Sequence, residues 1–414
     1  MLRSTLLIAW KVLTRRKFFA GVSLFGIAFT LGVLTVAAAL FDQVVGARPP
    51  EVNAHRTIGV YSVMLGGEHM QNNGPGGYAL FDRFTRGIPN VELMSIHSMP
   101  YSVFSYQGGS RRKLYFKKTD GEFWNLLRFD FLEGGPYTEK DVAEGRFLAV
   151  INEATRERYF AGGPAVGKTL EADGQTFTVA GVVPNLSLLR FAVGADVWVP
   201  HTTSRSTRYR LESELIGGYT AFYLARSKAD IPGIQAEFVS RMKTVPLPSK
   251  QYDRIVAVPE TVLQNVSRNL FGNRDAVASS KPILIALALF TVAFMVLPTL
   301  NLVNLTVSRT LERSSEIGVR RAFGASRGAL VWQFLVENVF LTFLGAAFAF
   351  VFAGITLAVL NRADLLPYMQ LELNARVMAV GLFLALFFGV FSGAYPAYRL
   401  SRLDPVTALR GGAH

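Results

Sequence analysis

One stretch of the sequence has the residue types and spacing of a phosphate-binding loop. Gly162–Thr169 satisfies G-x-x-x-x-G-K-[ST], in which backbone N–H groups and a lysine hold the phosphates of a nucleotide. That chemistry requires a buried strand before the loop and a helix after it. Here the polar, helix-like segment Glu153–Tyr159 precedes the loop, and a strand-like segment follows it. We therefore expect a Gly-Pro turn at Gly162–Thr169 and no nucleotide site.

The other reactive side chains form no catalytic or metal-binding pattern. The five histidines lack ligand-like spacing, and the absence of cysteine excludes zinc ribbons, thiol catalysis and redox motifs. No serine lies in a G-x-S-x-G motif. The basic segment Arg111–Lys118 could attract an anionic ligand, a lipid headgroup or a partner protein, but such alternation more often marks a strand with charges on its exposed side. We predict no catalytic residue, no metal site and no cofactor bound by this chain.

Four long charge-free stretches dominate the organisation of the chain. Half of the 414 residues are hydrophobic and 18% are charged, against about 25% charged in soluble proteins. At about 1.5 Å per residue, each stretch is long enough to cross a hydrocarbon core of about 30 Å. The predicted transmembrane helices are residues 18–41, 282–308, 338–361 and 377–398.

The basic residues of the short segments predict the orientation of these helices. Residues 1–17 carry five basic residues and no acid, the loop 309–337 carries five and the tail 399–414 carries three. The loop 362–376 has two basic and two acidic residues. Both termini are therefore predicted to be cytoplasmic, and residues 42–281 to be extracytoplasmic. Because most of the net charge of +13 lies in the cytoplasmic segments, it needs no nucleic-acid partner to explain it.

The first span and the residues before it predict a membrane anchor. Its apolar run exceeds the roughly 7–15 residues of a signal peptide, so we expect it to remain uncleaved. Within residues 1–17, apolar side chains recur at helical spacing, which predicts an amphipathic segment on the inner leaflet; an early start of the first span is the alternative. The interiors of the four spans contain no ionisable residue, which argues against a channel or a secondary transporter. Small residues spaced by four, either Gly389 and Gly393 or Gly345, Ala349 and Ala353, permit close helix contacts.

Segment 42–281 alternates strand and helix patterns and predicts an α+β domain of two lobes. The first lobe combines two distant parts of the chain, with a strand at Arg56–Leu65, a loop at Gly66–Gly77, a helix at Tyr78–Gly87, strands in Val91–Tyr106, a strand at Tyr219–Ala225, a helix at Ile231–Thr244 and a strand at Tyr252–Val258. The second lobe, inserted at roughly 118–212, has a strand at Phe147–Asn152, a helix at Glu153–Phe160, and strands Thr169–Ala172 and Thr176–Val183 joined by an Asp173-Gly174 turn. The predicted fold is an α-helical membrane protein with four transmembrane helices, in which this domain is inserted between helices 1 and 2.

The cytoplasmic loop 309–337 has the most specific pattern. It predicts a helix that continues out of the second span, a corner marked by glycines, and a second helix capped by Ser326. Its charges suit docking on a soluble cytoplasmic protein, and a solvated hairpin is the alternative. Glu316–Ser326 resembles the E-I-G-[IV]-R-[KR]-A-[LIF]-G-A-[ST] signature of the MacB/FtsX-type ABC transporter permeases. Asp404–Arg410 is similar to their closing D-P-[VA]-x-A-L-R, and Phe147–Pro200 looks like a MacB-type periplasmic core domain, so the resemblance covers essentially the whole chain.

The resemblance implies a permease subunit of the bacterial cytoplasmic (inner) membrane that is not itself catalytic. In this family an ATPase dimer, which binds ATP and Mg²⁺, drives movement of the outer domains, here for export. Since only residues 1–17 precede the first span, whereas MacB carries an N-terminal ATPase domain, we expect the ATPase to be a separate cytoplasmic chain. The resemblance also implies the residues that couple to it, namely Glu316, Ile317, Gly318, Arg320, Arg321, Gly324, Ser326 and Arg327. A secondary contact is implied at Asp404, Pro405 and Arg410.

The implied partners extend beyond the ATPase and membrane lipids. A second copy or a related permease would complete the complex, together with a periplasmic adaptor and outer-membrane channel or another extracytoplasmic protein. Two alternative functions remain open: a lipoprotein-releasing permease and an FtsX-like regulator of a cell-wall hydrolase. FtsX-type outer domains are usually smaller than this one, which favours export.

The predicted orientation can be tested with single cysteines, because the chain has none of its own. An impermeant thiol reagent applied to intact cells is expected to label a cysteine at position 174 and not one at position 326. Labelling at 326 but not at 174 would reverse the topology.

Overall fold

The structure is a computed structural model that describes residues 17–107, 110–187, 190, 192–211, 213–272, 279–312, 319, 323, 326–363, 368–373 and 375–401. The chain divides into two compact units. The helical unit comprises Met1–Gln43, Ile285–Ala363 and Leu371–His414, and the α+β unit comprises Val44–Leu284 and Asp364–Gln370. The chain therefore passes between the two units four times.

The described helices are α1 (Lys17–Val45), α2 (Tyr78–Phe84), α3 (Glu122–Leu126), α4 (Glu139–Ala143), α5 (Glu153–Phe160), α6 (Ile231–Met242), α7 (Val262–Phe271), α8 (Lys281–Glu312), α9 (Arg327–Arg362) and α10 (Ala375–Ser401). The described strands are β1 (Thr57–Gly59), β2 (Val63–Gly66), β3 (Gln71–Gly74), β4 (Val91–Ser98), β5 (Tyr101–Gln107), β6 (Ser110–Thr119), β7 (Glu133–Gly134), β8 (Leu148–Asn152), β9 (Thr169–Ala172), β10 (Gln175–Val183), β11 (Val197–Pro200), β12 (Tyr219–Ala225) and β13 (Arg254–Ala257).

The helical unit contains a helix at each of the four predicted spans. Among the described residues, Gly21–Val45 and Val331–Arg362 are long and apolar enough to cross a membrane, and Lys281–Val296 and Ala375–Phe387 are shorter apolar stretches. The number of crossings and their orientation therefore stay predictions. The third predicted span is part of a longer element, because α9 runs without interruption for 36 residues.

Small residues allow α1 and α9 to lie close together, as the sequence predicts for Gly345, Ala349 and Ala353. An added Cβ at Gly345 would lie 2.5 Å from Cγ2 of Ile27, which is shorter than real side chains allow. Ala349 and Ala353 are buried on the same helix. Close approach of this kind increases the van der Waals contact between helices that have no hydrophobic driving force in lipid.

The α+β unit contains two groups of strands. The first lobe has two three-stranded sheets, with orders β1-β12-β4 and β13-β2-β3. The inserted lobe has a larger sheet of order β5-β6-β11-β8-β10-β7, with β9 paired to β10. Its central pairs β6–β11 and β8–β10 are parallel, and β11–β8 is antiparallel.

Most predicted elements of this unit agree with the structure. The strand Tyr219–Ala225, the helix Glu153–Phe160 and the strand Thr169–Ala172 have the predicted bounds. The Asp173-Gly174 turn joins β9 to β10, and both residues have positive φ (53° and 64°), as a type I′ hairpin turn requires.

Two predictions on this unit need correction. The inserted lobe begins earlier than the predicted residue 118, because the β5–β6 hairpin, from Tyr101 onward, pairs with β11 of the larger sheet. Alternating polar and apolar residues predict the strands of a hairpin, but they do not show which sheet the hairpin joins. The region Arg56–Gly77 contains three short strands rather than one strand and a loop, and the polar residues of β3 gave no strand pattern.

An apolar cluster joins the two lobes. Phe222 of β12 lies in one buried cluster with Trp124 and Trp198 of the inserted lobe, and all three are less than a tenth exposed. A second cluster lies within the inserted lobe and a third within the first lobe. The lobes therefore share part of their core.

Phe222→Ala is expected to lower the free energy of unfolding by about 3–5 kcal/mol, because it leaves a cavity in the shared cluster. Urea unfolding of the purified chain in detergent, followed by tryptophan fluorescence, measures the change, since two tryptophans lie in this cluster. The control Leu132→Ala, at a side chain that is 47% exposed, should change stability by about 0.5 kcal/mol or less. Equal losses in the two variants would contradict the shared core.

Candidate functional site

The segment that precedes α9 has a defined end. Ser326 has extended φ and ψ (−69° and 154°), and its Oγ accepts a hydrogen bond from the backbone N of Ala329 at 3.2 Å. This satisfies one of the N–H groups left unpaired in the first turn, and Arg327 then begins the helix. The predicted Ser326 cap is confirmed.

The other predicted coupling residues lie outside the described residues. These are Glu316, Ile317, Gly318, Arg320, Arg321, Gly324, Asp404, Pro405 and Arg410. Their role stays a prediction that the resemblance implies.

Two apolar side chains of the coupling segment are exposed in the described part of the chain. Phe323 is 89% exposed and Val319 is 46% exposed, and Phe323 N donates to the carbonyl oxygen of Val319 at 3.0 Å. On the next helix Trp332 is 61% exposed. No local sequence pattern distinguishes these exposed side chains, although Phe323 occupies the [LIF] position of the signature. Aromatic side chains are enriched in protein–protein interfaces, so Phe323 is available for a contact with a partner protein.

The phosphate-loop match has the wrong surroundings for a nucleotide. Helix α5 precedes it and hairpin strand β9 follows it. Its N–H groups already have partners within the protein: Gly167 N donates to Val179 O at 2.9 Å, and Ala165 N donates to Oε2 of Glu133 at 3.0 Å. Hydrogen bonds from Ala165 and Arg156 lower the pKa of Glu133, so a carboxylate occupies the position of an anionic ligand. The Lys168 ammonium lies over the ring of Phe160, 5.6 Å from its centroid.

The basic segment Arg111–Lys118 forms most of β6 and divides into two parts. Arg111, Arg112 and Lys113 are exposed, whereas the side chain of Lys117 is fully buried. Its Nζ donates to the carbonyl oxygen of Ser98 at 2.7 Å. Burial lowers the pKa of Lys117 to about 7, against the opposing effect of Glu51. The strand prediction holds, but the charges do not all lie on its exposed side.

Further ionisable groups are buried near Lys117. Asp120 accepts hydrogen bonds from Ser95 Oγ at 2.8 Å and from the backbone N of Ile96 and Phe123 at 2.6 and 2.9 Å. Burial nevertheless raises its pKa to about 7. His97 is buried as well, and burial followed by the charge of Lys117 lowers its pKa. Among the residues that the structure describes, no group of three or more His, Asp or Glu side chains could hold a metal ion.

Two protein families match this chain in succession. Residues 20–241 match the MacB-like periplasmic core domain, and residues 288–405 match the FtsX-like permease C-terminal domain. The first match alone covers more than half of the chain. The chain belongs to the MacB/FtsX-type ABC transporter permeases. It is accordingly a membrane protein with a large extracytoplasmic domain.

Relatives of this permease are longer proteins. It is 25% identical over 410 residues to the pyoverdine export ATP-binding/permease protein PvdT of Pseudomonas entomophila, which covers 97% of this chain and 58% of the relative. It is 22% identical over 424 residues to the macrolide export ATP-binding/permease protein MacB of Escherichia coli, covering 98% and 60%. The chain thus spans about three fifths of the length of these relatives. The periplasmic region of MacB from Actinobacillus actinomycetemcomitans matches with 14% identity and a TM-score of 0.36, over 53% of this chain and 94% of that structure.

Lys117→Met is expected to remove a pH-dependent part of the permease's stability. Because burial lowers the folded-state pKa of Lys117 from 10.5 to about 7, the unfolded chain binds this proton more tightly. The free energy of unfolding should therefore rise with pH above about 7, with a slope of at most about 1.4 kcal/mol per pH unit from this group. Lys117→Met lacks this contribution.

Urea unfolding between pH 7 and 9 measures the slope in the wild type, in Lys117→Met and in Lys113→Met. Lys113 is an exposed lysine of the same strand, so its replacement serves as the matched control. The same slope in all three proteins would show that Lys117 is not held in the buried position described here.

Proposed function

We propose that this chain is the permease component of an ABC exporter. It couples ATP hydrolysis by a cytoplasmic ABC ATPase to movement of the extracytoplasmic α+β unit, and it binds no nucleotide itself. The observation that carries the proposal is the order of the two family regions, a MacB-like periplasmic core followed by an FtsX-like permease domain. Relatives that align with this chain along both regions are named as export proteins. The export substrate of this chain is left open.

The composition of the predicted spans supports a mechanical role. Their interiors contain no Asp, Glu, Lys, Arg or His, and an ion or proton pathway through a membrane normally requires such residues. A permease without a polar pathway has to act by moving its outer domain. This is the mechanotransmission that the family resemblance implies.

The coupling segment offers a physical entry point for that movement. Phe323 presents an exposed ring, and Ser326 fixes the beginning of α9 directly after it. Helix α9 then continues for 36 residues, or about 54 Å at 1.5 Å per residue. We propose that the ATPase contacts the Glu316–Arg327 segment, with Asp404–Arg410 as a secondary contact, and that α9 carries the displacement.

The proposed arrangement in the bacterial inner membrane has four transmembrane helices with both termini in the cytoplasm. A second permease copy, or a related permease, pairs with this one. For export across two membranes, a periplasmic adaptor and an outer-membrane channel are the expected partners of the α+β unit.

Glu316→Lys and Phe323→Glu are expected to abolish export activity while the permease still inserts and its α+β unit still folds. Breaking a buried, hydrogen-bonded charge contact at an interface costs about 2–5 kcal/mol, which is enough to weaken assembly. Co-purification with the ATPase and ATP hydrolysis by the reconstituted complex are the readouts. Lys168→Ala, in the phosphate-loop match, is the control and should retain both. Wild-type assembly and activity in both coupling variants would exclude this segment, and loss of hydrolysis in a folded Lys168→Ala complex would reopen the nucleotide site.

A further inference from the structure

A tyrosine in the connection between α9 and α10 contacts the α+β unit. Asp364–Gln370 belongs to that unit by its contacts, although both neighbouring helices belong to the helical unit. The hydroxyl of Tyr368 donates a hydrogen bond to Oδ1 of Asp196, with a distance of 2.6 Å. The two residues are far apart in sequence, so this bond closes a loop of more than 170 residues.

Asp196 is held in place without Tyr368. It precedes β11, is 2% exposed, and accepts hydrogen bonds from Tyr115 N at 2.8 Å and Asn152 Nδ2 at 3.0 Å. Its backbone N donates to Tyr115 O at 2.7 Å, and its backbone O accepts from Asn152 N at 3.0 Å. Asp196 therefore connects the middle of β6 and the last residue of β8 to the beginning of β11, and its carboxylate is a fixed acceptor in the inserted lobe. Since a carboxylate can accept about four hydrogen bonds, it has room for the bond from Tyr368 beside those from Tyr115 and Asn152.

The backbone around Tyr368 is also constrained. Its φ of +60° lies in the left-handed region, which residues with a side chain rarely adopt. Three residues later, Leu371 N donates to Oδ1 of Asn361 at 2.9 Å, and Asn361 Nδ2 donates to Leu371 O at 3.0 Å. Asn361 lies in the last turn of α9, so these two hydrogen bonds join the two ends of the connection between α9 and α10. Strained backbone of this kind persists where the surroundings determine it, and it is often found where a side chain has a role.

The electrostatics keep the hydroxyl in its donating form. Burial, followed by the negative charge of Asp196, raises the pKa of Tyr368 to about 12. The phenol therefore remains protonated at physiological pH. A hydrogen bond from a neutral hydroxyl to a carboxylate is among the stronger kinds in proteins.

We propose that Tyr368 is a positioning residue that fastens the α9–α10 connection to the inserted lobe through Asp196. A displacement carried by α9 would then reach the centre of the larger sheet at β11, in addition to the covalent connections through α1 and α8. This role rests on the proposed function, because it assigns Tyr368 to the mechanical coupling between ATPase and α+β unit.

The test compares Tyr368→Phe with Tyr223→Phe. Each variant removes one hydroxyl, and the hydroxyl of Tyr223 is a buried hydrogen-bonding group of the first lobe that lies 2.7 Å from Oγ1 of Thr85. Hydrogen exchange of the full chain in lipid nanodiscs, measured on a peptide that contains residues 368–373, reports on the connection itself. Loss of a hydrogen bond to a charged group should accelerate exchange there about tenfold or more in Tyr368→Phe, and Tyr223→Phe should leave it unchanged.

The same two variants are then assayed for ATPase co-purification and export. Tyr368→Phe should retain the ATPase and lose export activity severalfold, whereas Tyr223→Phe should retain both. Unchanged exchange in Tyr368→Phe, accelerated exchange with full export, or equal loss of export in the two variants would each overturn the role of Tyr368. A wild-type chain that binds no ABC ATPase would instead overturn the proposed function, so the two failures are distinguishable.

Discussion

The burial of the short strand β11 is the constraint on which the α+β unit depends. All four of its residues are buried, and it pairs in parallel with β6 and antiparallel with β8. Strands enclosed on both faces read as continuous apolar runs. Val197 and Val199 pack into the core of the inserted lobe, while Trp198 faces the cluster shared with the first lobe and donates its indole N–H to Val193 O at 3.1 Å. One strand therefore links the core of the inserted lobe to the cluster shared with the first lobe.

The buried charges around this sheet carry a desolvation free energy that apolar side chains would not have. Arg190 and Glu51 form a pair at 2.6 Å, and Arg190 also donates to Gly46 O at 2.8 Å. Burial raises the pKa of Glu51 despite that partner, which shows that desolvation outweighs the attraction of the arginine. Since buried ion pairs contribute little net stability, their effect here is on geometry. They fix the segment between α1 and β1 against the loop before β11.

The sequence predicted those elements whose pattern is local. Helix α5 begins after Asn152, whose side chain accepts from Thr155 N, and the hairpin at Asp173-Gly174 follows from two residues that tolerate positive φ. Strand β3 could not be predicted in this way, because its residues are polar and show no apolar alternation, although they pair with β2. Lys117 was also misjudged, since nothing in an alternating basic segment distinguishes a lysine that the neighbouring strands will cover.

The candidate site was predictable to a similar degree. The Ser326 cap follows from residue type and position alone, and the family signature identified the segment around it. Phe323 and Tyr368 were missed for different reasons. The exposure of Phe323 depends on where the chain turns, and the partner of Tyr368 lies in another part of the sequence. Long-range pairs of this kind leave no periodic signal in a single chain.

Under the proposed function, α9 transmits displacement through hydrocarbon without ionisable side chains in its predicted span. Helix α9 can do so because its own backbone hydrogen bonds form the connection, and these need no partner in lipid. Side-chain hydrogen bonds are found at both ends of α9. Ser326 caps the first turn, and Asn361 binds both backbone groups of Leu371 at the other end. Between them, Gly345 lies in close contact with Ile27 of α1. The polar contacts at Ser326 and Asn361 therefore lie before the predicted span 338–361 and at its last residue, and under the proposed function the span itself needs only stiffness.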